Sequence, residues 1–367
     1  MLDLVAQYQT IKKETLDAIH QVIEAQQFIM GPAIPKLEAD VAALSHAKYG
    51  IGCASGTDAL LLPLKALNLK AGDEVITTPF TFFATAGTIH NAGGTPVFVD
   101  IDPDTFNIDP AAVEAAITPR TRAIMPVHLY GQMAPMERLL AIAAKKGIPV
   151  IEDAAQAIGA RRKIDGTWRM AGELGWATGY SFFPSKNLGA WGDGGMIVTS
   201  DEQGAERLKK LRLHGGAKQY HHEEVGTNSR LDTLQAALLL AKLPHLAGWS
   251  AKRREHAASY SKAFARLGAV RAPVVDPANE HIFHQYTLRV ERRDELQAHL
   301  KEKGIGHAVY YPIPLHLQPC FAHLKYAVGR LPRAERASHE VISLPIYPEL
   351  TDAQKNAVVD AVKSFYK

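Results

Sequence analysis

Lys186 is the residue best placed by its neighbours to do chemistry. It sits in Tyr180-Ser181-Phe182-Phe183-Pro184-Ser185-Lys186-Asn187-Leu188-Gly189-Ala190-Trp191-Gly192-Asp193-Gly194-Gly195-Met196, where an apolar, strand-like run delivers a lysine into a loop dense in glycine. Small residues there let backbone or a ligand come close. Most lysines are solvated surface charges, and apolar neighbours of this kind are unusual for one of those. In a partly dry pocket a lysine holds its proton less tightly and attacks carbonyl carbons. Two readings follow, a carbonyl-directed nucleophile and an ordinary surface charge.

A second segment upstream favours the nucleophile. In Ile148-Pro149-Val150-Ile151-Glu152-Asp153-Ala154-Ala155-Gln156-Ala157-Ile158-Gly159-Ala160, the run Ile148 to Ile151 reads as a short buried parallel strand. Asp153 falls just past its C-terminal end, where open α/β sheets place their ligands. A carboxylate there suits a pyridine ring, because pairing with the ring nitrogen keeps it protonated and lets the ring accept electrons. The plainer reading of Asp153 is a helix cap after a strand. A third segment, Gly52-Cys53-Ala54-Ser55-Gly56-Thr57-Asp58-Ala59-Leu60, is a small-residue turn opening an apolar helix. Backbone N–H groups at such an N-terminus, with Ser and Thr hydroxyls, form a phosphate cradle. Ser55-Gly56-Thr57 is equally an ordinary N-cap. Pro63, inside the predicted helix, is expected to kink it or end its first turns. Lysine, carboxylate and phosphate cradle together are what pyridoxal phosphate requires.

These segments, in this order, resemble the DegT/DnrJ/EryC1/StrS sugar aminotransferases, which are fold-type I pyridoxal phosphate enzymes. The resemblance spans essentially the whole chain, from Phe28-Ile29-Met30-Gly31-Pro32 through Thr78-Pro79-Phe80-Thr81-Phe82-Phe83-Ala84-Thr85 to Tyr311-Pro312-Ile313-Pro314-Leu315-His316. It implies that Lys186 forms a Schiff base with the cofactor, that Asp153 pairs with the pyridine nitrogen and that Gln156 bonds the ring hydroxyl. Gly56, Thr57 and Ser181 then hold the phosphate, and Phe82 stacks on the ring. The residues around Phe82 alone read as a core aromatic. Asn228, in Gly226-Thr227-Asn228-Ser229-Arg230-Leu231-Asp232, resembles the asparagine that reaches the cofactor phosphate of a neighbouring subunit, which implies a homodimer with shared sites. Taken bare, Asn228 is a turn residue. Arg230 is either a substrate contact or a helix cap. L-Glutamate is the family's usual amino donor.

The loop Lys186-Asn187-Leu188-Gly189-Ala190 with Gly192-Asp193-Gly194-Gly195 resembles the branch that aminates C3 of nucleotide-linked 3-keto sugars. The 4-aminating branch more typically has a Thr-rich loop and Glu where Asp193 stands. Tyr220-His221-His222 with Asn228 to Ala237 is similar to enzymes acting on UDP-linked 2-acetamido-3-keto sugars. Uronate-specific relatives carry His before the Tyr-Pro pair, and here Tyr310 precedes Tyr311-Pro312. A phenol is neutral near pH 7 while His can be charged, which favours a substrate neutral at C6 over its uronate. Tyr310 and Tyr311 are candidate substrate contacts. dTDP-linked 3-keto-6-deoxyhexoses are the runner-up. A sugar dehydratase is disfavoured by Lys186, which that branch replaces with histidine. A non-catalytic regulator is disfavoured by the retention of Lys186 and Asp153. A nicotinamide enzyme lacks its G-x-G-x-x-G. Amino sugars of this type enter surface polysaccharide, lipid A or glycosylated metabolites.

The elements that must position these residues read as α/β. The stretch to about Ala47 is predicted helical, with Leu16, Ile19, Val22 and Ile23 on one face. Strand-like runs follow at Gly50 to Cys53, Glu74 to Thr78, Thr95 to Asp100, Ala123 to Val127, Pro149 to Glu152, Ala177 to Phe183 and Gly195 to Thr199. Helical runs such as Asp109 to Ile117 and Met136 to Lys146 separate most of them. The alternation predicts a mainly parallel sheet flanked by helices. The run Thr233 to Leu243 reads as a helix leading out of this unit. Strands are then expected near Gln285 to Val290 and His307 to Tyr311, with helices onward to Lys367. The expected division is a large cofactor-binding domain over 1–248 and a smaller C-terminal α+β domain over 249–367.

Composition sets outer limits. A chain of 367 residues exceeds one ordinary core. The formal charge of +3, with Lys and Arg spread out, gives no support to nucleic-acid binding. Sixteen histidines are scattered without metal spacing, so no metal is expected. They read as surface or packing residues, with room for one or two in the active site. Asp100-Ile101-Asp102-Pro103-Asp104 reads as a turn, since Pro103 and a missing glycine argue against a calcium loop. Cys53 and Cys320, far apart, suggest a reduced cytoplasmic setting. With no signal pattern and no apolar run of membrane length, the expectation is a soluble protein away from membranes.

Overall fold

The computed structural model describes residues 2–218 and 220–366. Helices α1 (Leu4–Ala25) and α2 (Ala33–Leu44) lead into strand β1 (Tyr49–Cys53) and helix α3 (Gly56–Ala66). Next come β2 (Glu74–Thr77), α4 (Ala84–Asn91), β3 (Thr95–Phe98), α5 (Pro110–Ala116), β4 (Thr121–Ile124), α6 (Met136–Lys146) and β5 (Ile151–Asp153). A hairpin of β6 (Arg161–Ile164) and β7 (Thr167–Met170) precedes β8 (Ala177–Ser181), β9 (Gly195–Thr199) and α7 (Glu202–Leu211). Strands β2, β3 and β4 pair in parallel in the order β3-β2-β4. A second ribbon runs β1-β9-β8-β5. Parallel bridges Ile124↔Val150 and Val127↔Asp153 join the two. The continuous order is therefore β3-β2-β4-β5-β8-β9-β1, and β9 alone runs against the rest. Buried on both faces, β2, β8 and β9 need helices on each side, as the α/β alternation predicts.

The remainder is α8 (Thr233–Lys242), α9 (Leu246–Phe264), β10 (Val270–Arg271), β11 (Asn279–Glu280), β12 (Tyr286–Val290), α10 (Arg293–Glu302), α11 (Pro332–Glu340), β13 (Val341–Leu344) and α12 (Asp352–Phe365). Antiparallel β10-β12-β13 packs with these helices around Tyr260, Phe264, Tyr286, Leu288, Leu300, Ile342 and Val362, a core separate from that of the large sheet. The two portions are also tied together: Ala334, Ala337 and Val341 pack against Phe80, Phe106 and Leu129, and Leu315 and Phe321 against Ala86 and Phe98. Strand β11 pairs with β6, and Arg162 of β6 bonds both Glu137 of α6 and Asp276 just before β11.

Several expectations need correction. The buried face of α1 is Gln7, Ile11, Thr15 and Val22, while Leu16 and Ile23 are 43% and 44% exposed. The stripe against α8 is thus turned away from the one that hydrophobicity alone picks out. Helix α3 does not end at Pro63; it runs on to Ala66. The β6–β7 hairpin went unread because its strands are rich in charge. Its signal is Asp165-Gly166, both at positive φ (48° and 78°), the two-residue type I′ geometry that Asp-Gly favours. His307 to Tyr311 forms only the bridge Ala308↔Ser343, with Pro312 blocking further pairing. The partner strand, Val341–Leu344, lies in a stretch expected to be helical. Four buried residues between helices are too few for periodicity to distinguish strand from helix.

The turn at Asp100 to Asp104 is a turn. Asp102 accepts from the amides of Asp104 and Thr105, and Asp100 accepts from those of Arg333 and Ala334 at the start of α11. Cys53 is buried, Cys320 is exposed, and both are free. No described helix is long and apolar enough to cross a membrane.

Candidate active site

Asp153 closes β5, and both its backbone groups bond to the segment following β4. Its amide donates to Pro126 O at 2.9 Å and its carbonyl accepts from the His128 amide at 2.9 Å. The carboxylate is 4% exposed. Oδ2 accepts from Thr85 Oγ1 at 2.8 Å, and Oδ1 from the Ala155 amide at 3.2 Å. Burial pushes the Asp153 pKa up, against the Thr85 and Ala155 bonds and the positive charge of Lys186. A carboxylate so short of water gains most from a cationic or N–H partner.

Lys186 supplies the other pole, in the loop between β8 and β9. The loop is closed at its base, where Phe182 N donates to Gly194 O and Ala190 N to Phe182 O, both at 2.8 Å. The Lys186 amide turns back on Phe183 O at 2.8 Å, closing a tight turn that leaves the residue half-buried. Loss of water around the amine draws its pKa down to about 8, while the Asp153 carboxylate opposes the shift. Adjacent parallel strands β5 and β8 thus bring a buried carboxylate and a half-buried lysine within electrostatic reach of each other.

The cradle forms where α3 begins. Ser55 caps the helix by accepting from the Asp58 amide at 3.1 Å, which leaves the first-turn amides of Gly56 and Thr57 free for an anion. A Cβ on Gly56 would lie 2.5 Å from Ser181 Cβ and 2.7 Å from its hydroxyl, so only glycine lets α3 approach β8 this closely. Ser181 is 7% exposed and ends β8 five residues before Lys186. An N-terminal cradle, a buried carboxylate and an amine of lowered pKa fit pyridoxal phosphate as a donor and acceptor set.

Gln156 is fixed from two directions. Its Oε1 accepts from the Tyr130 amide at 2.7 Å, and its Nε2 donates to Tyr311 Oη at 3.1 Å. Burial pushes the Tyr311 phenol above its ordinary pKa, against the Gln156 bond. Tyr130 Oη donates to the Tyr310 carbonyl, so both tyrosines are tethered to the Gln156 side. Phe82 is 59% exposed and is no core aromatic, contrary to what its sequence neighbours suggest; its ring centre is 6.4 Å from that of Tyr311. Asn228 and Arg230 fall elsewhere. They line a cleft with Ile29, Ala54, Gly192, Asp193, Asp232 and Gln235, and Lys186, Asp153 and Gln156 are not part of its wall. Ser229 between them is buried and donates to Asp58 Oδ2 at 2.7 Å, pinning that segment to the cradle end of α3.

Other members of the site went unread. Thr81 and Thr85 are four residues apart, with hydroxyls 2.9 Å from each other. That spacing, one helical turn, was the available signal. Glu152 and His128 are both fully buried beside Asp153. Ala134 N donates to His128 Nδ1, so Nε2 carries the hydrogen and donates to Glu152 at 2.7 Å. Burial would raise the Glu152 pKa, but His128 and the Gly175 and Gly172 amides outweigh it and hold it below the ordinary value. His284 and Arg253 carry no local sequence signal; only the fold brings them near Lys186.

A model of the DegT/DnrJ/EryC1/StrS aminotransferase family matches residues 9–363. The Pleiotropic regulatory protein of Geobacillus stearothermophilus is 56% identical, covering 100% of this chain and 98% of its own. The UDP-N-acetyl-3-dehydro-alpha-D-glucosamine 3-aminotransferase of Acidithiobacillus ferrooxidans is 46% identical over 99% of this chain and 96% of its own. The crystal structure of S. venezuelae DesV, in complex with a ketimine intermediate, matches with a TM-score of 0.96 at 43% identity, covering 100% and 97% of the two chains.

Proposed function

We propose that this chain, which belongs to the DegT/DnrJ/EryC1/StrS aminotransferase family, transfers the amino group of L-glutamate to C3 of a nucleotide-linked 3-keto sugar. The observation that carries the reaction is the juxtaposition, at the ends of adjacent strands, of the buried Asp153 carboxylate held by Thr85, the loop bearing Lys186, and the α3 cradle pressed against Ser181. Pyridoxal phosphate supplies an aldehyde that takes up amino groups and a ring that accepts electrons when a neighbouring proton leaves. The amides of Gly56 and Thr57, with Ser181, hold the phosphate. Asp153 keeps the ring nitrogen protonated, Gln156 meets the ring hydroxyl, and Phe82 covers the ring face. With the cofactor bound, Lys186 Nζ would take the α-proton of the donor and deliver it to the cofactor carbon on the far side of the transferred nitrogen; an amine near pKa 8 can both accept and release that proton near neutral pH. Asn228 and Arg230, set apart from Lys186 within one chain, serve the site of a second chain in a homodimer.

For the acceptor we take a UDP-linked 2-acetamido-3-keto-hexose neutral at C6. The Acidithiobacillus relative is named for such a substrate, and Tyr310 stands where a charged histidine would suit a uronate. Residues 1–248 and 249–367 are taken as the two domains, in keeping with their separate cores. The enzyme is placed in the cytoplasm. The name of the Geobacillus relative raises a second reading, a regulator without catalysis. Borohydride treatment of the cofactor-loaded protein, followed by peptide mass analysis, separates the two. Cofactor fixed on Lys186, with bleaching of the visible band by L-glutamate, supports the transaminase; absence of both refutes it. Turnover with UDP- against dTDP-linked 3-keto sugars then decides the acceptor.

A further inference from the structure

Asn187, next to Lys186, is 5% exposed and makes two side-chain contacts. Its Nδ2 donates to Ile282 O at 3.4 Å, and its Oδ1 lies 3.0 Å from His284 Nδ1. Since the amide group faces a carbonyl, the oxygen faces the imidazole. His284 Nδ1 must therefore carry the hydrogen and donate. Burial first, and then the positive charges of Lys186 and Arg253, push the His284 pKa well below its ordinary value. The ring is a neutral donor of one fixed tautomer.

The backbone of His284 is held with equal care. Arg253, 3% exposed on α9, aims Nη1 at three carbonyls: Phe283 at 3.1 Å, His284 at 3.3 Å and Ile346 at 2.9 Å. Burial draws even this guanidinium down to about 10, against the pull of Glu349. Gly131, at φ +100°, lies so close beneath that a Cβ there would be 2.7 Å from Ile282 Cγ1 and 3.0 Å from His284 N. That same Cβ would meet Gln156 O at 3.2 Å. His284 thus spans from the segment that holds Gln156 to the residue beside Lys186.

We infer that His284 is a positioning residue for Lys186, setting the lysine loop through its Nδ1–H bond to Asn187, with Arg253 as the buried clamp that keeps it aligned. The inference rests on Lys186 being the cofactor-binding lysine. The test compares His284→Asn, whose amide N–H takes the place of Nδ1–H, with His284→Gln, which places its polar end a bond further out. Both are read in the cofactor-loaded enzyme by the pH midpoint of the visible band and by the rate at which L-glutamate bleaches it. His284→Asn should stay within about threefold of the parent rate with an unchanged midpoint. His284→Gln should lose about tenfold in rate and move the midpoint. Two variants that both match the parent, or that fail equally, overturn the inference. If His284→Gln does not fold, Asn187→Ser breaks the same bond from the other end and must show the same loss. Borohydride trapping on the parent keeps the failures apart: no cofactor on Lys186 sinks the assignment of that lysine, whereas a trapped parent with indifferent variants sinks this inference alone.

Discussion

Thr85→Val removes one hydroxyl, and with it the bond to Asp153 and the partner of the buried Thr81 hydroxyl. Thr85 is 0% exposed and Asp153 4%, so no water replaces the lost donor. A buried hydrogen bond to a charged group contributes roughly 1.5–3 kcal/mol, and tenfold in an equilibrium is about 1.4 kcal/mol. The Asp153 carboxylate, already raised by burial, loses the largest of the influences that hold it down. In the native chain it therefore keeps its proton to higher pH, while the unfolded chain is unaffected. Across that window the native state binds more protons, so stability falls as pH rises through it, and more steeply in the variant. The loaded enzyme needs the carboxylate ionised. Its acid limb should move up by about 1 pH unit or more, and cofactor affinity should fall about tenfold or more. The assay is titration of the apoenzyme with pyridoxal phosphate, together with the pH profile of the L-glutamate half-reaction. Thr85→Ser, which keeps the hydroxyl, should behave as the parent. A Thr85→Val enzyme with parental affinity and an unmoved acid limb would refute the role given to this bond.

Three further outcomes follow from the same geometry. Gly56→Ala drives a methyl into Ser181 at 2.5 Å, so cofactor affinity should drop at least about tenfold by absorbance titration while the protein still folds. In the apoenzyme, capture of pyridoxal phosphate by Lys186 should rise with pH around a midpoint near 8, because the amine titrates there and not at its ordinary 10.5. Between those values the unfolded chain holds a proton the native chain has lost, so apoenzyme stability should climb with pH, which denaturant titration at pH 8 and 10 checks.

The chemistry was more legible than the architecture around it. Lys186, Asp153 and the turn at Ser55-Gly56-Thr57 each carry a local signature, because a nucleophile, a strand-end carboxylate and an anion cradle depend on immediate neighbours. Six of the seven large-sheet strands overlap their predicted runs to within a few residues, and Gly195–Thr199 matches its own. What stayed hidden depends on distant partners. Phe82 looks like core until the fold leaves it exposed beside Tyr311. The burial of Glu152 against His128 depends on packing between strand ends 24 residues apart in sequence. The face of α1 is chosen by α8, more than 200 residues downstream, a partner no local window contains.

The pairing of β11 with β6 has a consequence for how the enzyme admits its substrate. The excursion that links the strand bearing Asp153 to the strand leading to Lys186 is also the anchor for residues 276–280. A swing of the C-terminal portion toward an incoming sugar would have to tear this ribbon and part Arg162 from Asp276, or carry the β5–β8 connection with it. Jaw-like closure of one lobe on another would therefore have to break this tie. Any adjustment to a substrate that keeps the tie intact has to come from exposed segments such as the one bearing Phe82.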